Sequence, residues 1–206
     1  MFKKISLLYF SIINSKPSQL FHRIKLIIKR RILSNFASDS FALKVAIASD
    51  KNINISKKVP IALFKSRNHL TRKLKNGKLQ VGFLNEWRNL DFPMDWHPRE
   101  MKKGTRLWLL NLHYMEFIES IESDDWFLYV KDWIKNNMPY KKNYWLDNWN
   151  SYSLSIRAVV WMQQYQKKGS HLSNKDKNIF IRSLLAQIRF LKKNLELDIG
   201  GNHLIK

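Results

Sequence analysis

Asn202 and His203 are adjacent, and they follow Gly200-Gly201 at the end of a long periodic segment. Two glycines let the backbone turn where a Cβ would obstruct it. Asn donates and accepts hydrogen bonds, and His can donate, accept or carry charge. At the start of a helix, with Asn202 as its cap, such a pair can grip a carboxylate. The same spacing is met if Asn202 only caps and His203 only packs, and spacing alone favours that simpler role.

Other chemistries lack their residues. There is no Cys, so no disulfide framework and no thiolate nucleophile. The six His residues show no metal-ligand spacing, and no metal or other cofactor is expected. No Gly-rich phosphate loop and no G-x-S-x-G occurs, which argues against a Walker ATPase and a serine hydrolase. The net charge of +21 suits a polyanion: nucleic acid, anionic lipid or acidic polysaccharide. Charge alone does not choose among them.

The elements that must position this chemistry are helical. Gly and Pro number six and five, too few for a hairpin-rich β fold, and 45% hydrophobic residues suffice for a core. Ile5 to Ile13 forms an apolar run after Lys3 and Lys4. No small-x-small cleavage site follows and the run is too short to span a bilayer, so it reads as a helix of the mature chain. Ser15 then caps a second helix with Pro17 in its first turn. Leu20, Ile24, Ile27, Ile28 and Ile32 make its apolar stripe, and Lys25, Lys29, Arg30 and Arg31 lie mostly off it. The expectation is a helix docked through the stripe with its basic face solvated. The competing reading is a basic helix on a membrane surface or polyanion.

Residues 37–104 read as an irregular connector. Leu79 to Leu84 fits a short strand, and Asn85 to Glu100 reads as an irregular stretch pinned by Trp87 and Trp96. From Thr105 the apolar residues recur at helical spacing. Leu107, Leu110, Tyr114, Phe117, Ile118 and Ile121 form one set, and Trp126, Tyr129, Val130, Trp133 and Ile134 the next. Leu154, Ala158, Trp161, Met162 and Tyr165 form a third. The fourth, Ile181 to Leu195, opens on a capping-box-like Ser173 and Asp176. Short connections between such helices favour antiparallel neighbours.

This ordered set of residues resembles the heparinase II/III family of polysaccharide lyases. The resemblance runs through Pro17-x-Gln19 and Arg23, then Phe83-Leu84-Asn85, Asp95-Trp96, Leu107-Trp108 and Leu112-His113-Tyr114. It continues through Trp133-Ile134, Ser155-x-Arg157 with Trp161, Gln187-x-x-x-Leu191, and Asn194-Leu195-Glu196 leading to Gly201-Asn202-His203-Leu204. One departure is Trp149-Asn150-Ser151-Tyr152-Ser153, where the family carries a Pro-Tyr-Pro-like run.

The resemblance implies a mainly α fold, with antiparallel helix pairs over 105–206 forming the first part of an incomplete α/α toroid. Residues 1–36 are then a basic helical segment. It implies β-elimination from a uronic-acid polysaccharide, in which donors offset enolate charge at the carboxylate and a base removes the adjacent proton. Asn202 and His203 would meet the carboxylate, and His113, Tyr114 and Arg157 would line the groove. The alternative for those three is hydrogen bonding between toroid helices. The family's catalytic Tyr and β-sandwich lie farther on, so these 206 residues alone are expected to be inactive. The expected partner is acidic polysaccharide, with nucleic acid only a non-specific polyanion and no transmembrane span. The expected compartment is the periplasm or cell envelope, or the cytoplasm for want of a clear signal. The competing function is a non-catalytic polyanion-binding remnant or a nucleic-acid-binding helical module.

Overall fold

Caps and stops convert the apolar stripes into helices. The computed structural model describes residues 16–47, 70–75, 78–98, 106–121 and 125–194. The expected helix over Ile5–Ile13, the Ser15 cap and the Asn202-His203 pair lie outside them. Helix α1 spans Pro17–Phe36 and α2 spans Asp39–Ala46. A three-stranded antiparallel sheet follows, β1 at Thr71–Lys73, β2 at Leu79–Phe83 and β3 at Glu86–Asn89, in the order β1-β2-β3. Then come α3 (Arg106–Tyr114), a 3₁₀ turn (Glu116–Ser120), α4 (Trp126–Asn136), α5 (Ser151–Lys168), a second 3₁₀ turn (Gly169–His171) and α6 (Asn174–Lys193). The protein is mainly helical.

The connector holds more regular structure than its sequence suggests. Strands of three and four residues are too short to display a period. The β2–β3 turn uses Leu84 and Asn85, both with positive φ (53° and 62°). A two-residue turn of that hand matches the twist of the paired strands, but it is normally signalled by Asn-Gly or Asp-Gly. Gly82 faces Trp87 across the pair, and a Cβ on it would meet the indole at 2.6 Å. The Arg72 guanidinium sits 4.2 Å from the centre of the same ring. The bare backbone thus lets the indole lie flat on the sheet.

The helices alternate in direction, and side-chain pairs show it. Ser151, Arg157 and Tyr165 advance along α5 while their partners Asn194, Gln187 and Phe180 retreat along α6. These two helices are therefore antiparallel. Arg157, Trp161 and Lys168 meet His113, Met115 and Ile121 in rising order, so α5 runs parallel to α3 and its continuation. Tyr129 and Trp133 of α4 meet Phe117 and His113 in reversed order, which makes α4 antiparallel to α3. Helix α3 ends at Tyr114, and the next residue, Met115, with a φ of 58°, breaks the helical path before the 3₁₀ turn. The periodic stripe from Leu107 to Ile121 is thus two elements rather than one.

Capping follows local chemistry. The Asn150 side chain accepts from the Tyr152 N–H at 3.0 Å, and the Ser173 hydroxyl accepts from the Asp176 N–H at 3.1 Å. Trp96, Trp126, Trp133 and Trp161 are all fully buried in one continuous core that spans the sheet, α3, α4, α5 and α6.

Helix α1 does not dock as expected. Its stripe residues Ile24, Ile27, Ile28 and Ile32 remain 54%, 52%, 52% and 51% exposed. The more covered side carries His22, Leu26, Lys29, Arg30 and Leu33. Lys29 fixes this orientation by donating to the Asn194 side chain at 2.9 Å, beyond the end of α6. The large exposed apolar side chain on α6 is Ile188 alone among its described residues, so the open apolar surface lies on α1 rather than on the last helix.

Candidate functional site

Four helices and one loop bring their polar residues to a single buried cluster. Helix α3 contributes His113, α4 contributes Asp132 and Trp133, α5 contributes Arg157, and α6 contributes Gln187. Trp96 enters from the loop after the sheet. Each comes from the apolar face of its element, so folding draws it inward with the hydrophobic residues beside it.

Arg157 is the centre. It is fully buried, donates from Nε to the Gln187 Oε1 at 2.7 Å and from Nη1 to the His113 carbonyl at 2.8 Å. Its guanidinium carbon lies 3.9 Å from the centre of the Trp133 ring. No carboxylate pairs with it among the described residues, and its Nη2 finds no hydrogen-bond partner there. Burial pulls its pKa well below the usual range. A guanidinium nevertheless stays charged in proteins, and the ring face and two oxygens offset part of its desolvation.

His113 is neutral, and its tautomer is set. Its Nδ1 accepts from the Trp133 indole N–H at 3.2 Å. A neutral imidazole that accepts at Nδ1 carries its proton on Nε2. That Nε2–H has no hydrogen-bond partner among the described residues. Burial first, then the Arg157 charge and His97, hold its pKa well below 6.5, against an opposing backbone influence from Trp96. The Trp96 and His97 rings lie with their centres 6.0 and 5.5 Å from that of His113. The cluster therefore holds two buried donors, Arg157 Nη2 and His113 Nε2, that find no acceptor among the described residues.

A second polar node anchors the loop. Asp132 Oδ2 accepts from the Trp96 indole N–H at 2.7 Å and from the Met94 N–H at 3.1 Å, and its Oδ1 accepts from Asn136 at 2.9 Å. Beyond it, the buried Asn137 carbonyl accepts from the Trp149 indole at 2.8 Å, and Asn148 donates to the Asn137 side chain at 3.2 Å.

The structure brings His113 and Arg157 together and seals both from solvent. In the described residues they tie α3, α4, α5 and α6 to one another. Tyr114 lies apart from them, with its ring edge-on to Tyr152 at 5.7 Å. Burial, then Tyr152 and Glu116, push its phenol up to about 12, so it stays protonated near neutral pH. Asp132 was missed at the sequence level, yet its signal was there: a lone carboxylate between Val130 and Trp133 on a strongly apolar helix. Among the described residues, no group of three His, Cys, Asp or Glu could hold a metal ion. The chain matches no protein-family model, no curated protein and no solved structure.

Proposed function

We infer that this chain is part of a heparinase II/III-like lyase that cleaves uronic-acid-containing polysaccharide by β-elimination, its helices belonging to an α/α toroid. The observation that carries this reading is convergence. The residues of the resemblance are scattered from Trp96 to Gln187 in sequence, yet Trp96, His113, Trp133, Arg157, Trp161 and Gln187 meet in one cluster. The alternating helix directions suit a toroid, in which inner and outer helices run oppositely. The +21 charge suits an acidic polymer, and the resemblance, not the charge, is what suggests a periplasmic or envelope setting.

In this scheme Asn202 and His203 offset the charge that develops on the uronate as the adjacent proton leaves. His113 and Arg157, being buried, hold the helices that frame the groove, and Tyr114 stands at its wall. A second reading, a non-catalytic polyanion-binding module, draws on the sealing of both groups from solvent.

Binding to a carboxylate-only polysaccharide, compared with duplex DNA and a neutral glucan, tests the proposal. The expected outcome is retention on the uronate polymer at salt concentrations that release DNA, with Asn202→Ala and His203→Ala each weakening it. Equal retention on DNA, unchanged by either substitution, would favour the polyanion-binding module. Product formation, read as absorbance of the unsaturated uronate, is expected of a form that also carries the family's catalytic Tyr and not of these 206 residues alone, whose activity would overturn that expectation.

A further inference from the structure

Helix α1 is built with its polarity reversed relative to a docked helix. Phe21, Ile24, Ile28 and Ile32 fall at spacings that share one helical face, and that face is exposed. They form a continuous open apolar surface flanked by Lys25 and Lys29. The side turned toward the body carries Lys29 and Arg30 beside Leu26 and Leu33. Water is a poor solvent for such a face, and exposed apolar patches of this kind mark interaction surfaces.

Charge identifies the occupant. The helix holds five cations, Arg23, Lys25, Lys29, Arg30 and Arg31, and no carboxylate, and no Asp or Glu precedes Asp39 in the whole chain. Lys25 and Arg31 are exposed on the borders of the apolar face. A protein partner or a second copy of this chain would have to meet that charge with its own acids, and the chain has only 16 against 37 bases. Nucleic acid would meet the cations but not the isoleucines. A bilayer with anionic headgroups meets both at once, because acyl chains take the apolar face and phosphates take its basic borders. No helix among the described residues is long and apolar enough to cross a membrane, so α1 would lie in the interface plane.

We propose that α1 is a membrane-surface helix that lays its Phe21-Ile24-Ile28-Ile32 face into anionic lipid and holds the helical body against the bilayer. Membrane attachment of this kind is independent of the lyase assignment.

The chain has no Cys, so Ile28→Cys offers a single labelling site for an environment-sensitive fluorophore. Lys135→Cys, on an exposed position of α4, serves as control. Vesicles of phosphatidylcholine with phosphatidylglycerol are compared with phosphatidylcholine alone. The label at position 28 should shift to the blue only with the anionic vesicles, and should keep that shift when salt is raised after binding. The label at position 135 should not respond. Replacing Ile24, Ile28 and Ile32 together by Asn should weaken vesicle binding on the order of a hundredfold. Lys25→Glu with Arg31→Glu should abolish the preference for anionic vesicles while leaving the apolar face intact. Vesicle binding unchanged in the triple variant would reduce the effect to bulk charge and overturn the proposal. So would a position-28 label already buried without vesicles, either in a dimer seen by light scattering or in a monomer that exposes it when residues 2–14 are deleted.

Discussion

The guanidinium carbon of Arg157 lies 3.9 Å from the centre of the Trp133 ring, and no carboxylate stands beside it among the described residues. The cation is held by a π face and two neutral oxygens. Lys offers a point charge instead of a planar fork, so it cannot reach Gln187 and the His113 carbonyl while stacking on the indole. Arg157→Lys should therefore lower stability by about 1–3 kcal/mol. Arg157→Met removes the buried charge but strands the Gln187 oxygen. Adding Gln187→Leu should recover about 1 kcal/mol, because the orphaned acceptor goes with it. Denaturant titration of the single and double variants measures that coupling, and strictly additive losses would dissolve the pair.

His113 makes folding sensitive to acid. Burial, with Arg157 and His97, holds its pKa well below 6.5 in the folded state. The unfolded chain therefore binds more protons than the folded one below about pH 6.5. This contribution is fully present above that pH and is lost as pH falls, at up to about 1.4 kcal/mol per unit. His113→Asn keeps an acceptor for the Trp133 indole and cannot titrate. Its stability should fall less than that of the wild type between pH 6.5 and 5, whatever its absolute value. Parallel pH profiles for the two proteins would show that His113 protonates without penalty.

The helices of the second half were legible because long amphipathic stripes and their caps are local signals. Ser173 and the stripes around Trp133, Trp161 and Leu184 each declare an element without help from the rest of the chain. The central strand β2 was legible as the expected short strand over Leu79 to Leu84, but its neighbours were not: they are three and four residues long, and the β2–β3 turn uses Leu84 where Gly or Asn would have announced it. Helix α1 was legible as a helix, but its orientation was not. Periodicity identifies the apolar face without saying which way it points, and the Lys29–Asn194 bond that fixes it joins residues 165 positions apart. The same holds for the cluster. His113, Arg157 and Gln187 were visible singly, while their convergence depends on how α3, α5 and α6 pack. Asp132 needed the Trp96 loop before its role had a partner.

Leu84 pays for the hairpin in backbone strain. A branched side chain at φ 53° crowds its own carbonyl, and Leu84 is also largely exposed, so little packing offsets it. Leu84→Asn should stabilise the protein by about 0.5–1 kcal/mol, because Asn tolerates the left-handed region and no contact of weight is lost. A raised thermal midpoint is the expected result. A lowered one would mean that Leu84 contributes packing that its exposure conceals.

Asp132 decides whether the loop that bears Trp96 and His97 stays against the helices. One carboxylate oxygen accepts both the Trp96 indole N–H and the Met94 N–H, and the other holds Asn136. Asp132→Ala would leave a buried indole donor and a backbone donor without their acceptor, a loss of about 2–4 kcal/mol. Asp132→Asn keeps one acceptor oxygen, so it should cost less, on the order of 1–2 kcal/mol, as charge-assisted bonds become neutral ones. The loss should be local before it is global, because the loop can detach while α3 to α6 keep their own core. Hydrogen exchange reads this directly. In the wild type the Trp96 indole proton should be protected like the buried helix amides. In Asp132→Ala it should exchange far faster while amides within α5 and α6 keep most of their protection. Uniform acceleration across all helices would instead make Asp132 part of the global core, and unchanged protection at Trp96 would show that packing against His113 holds the loop without the carboxylate.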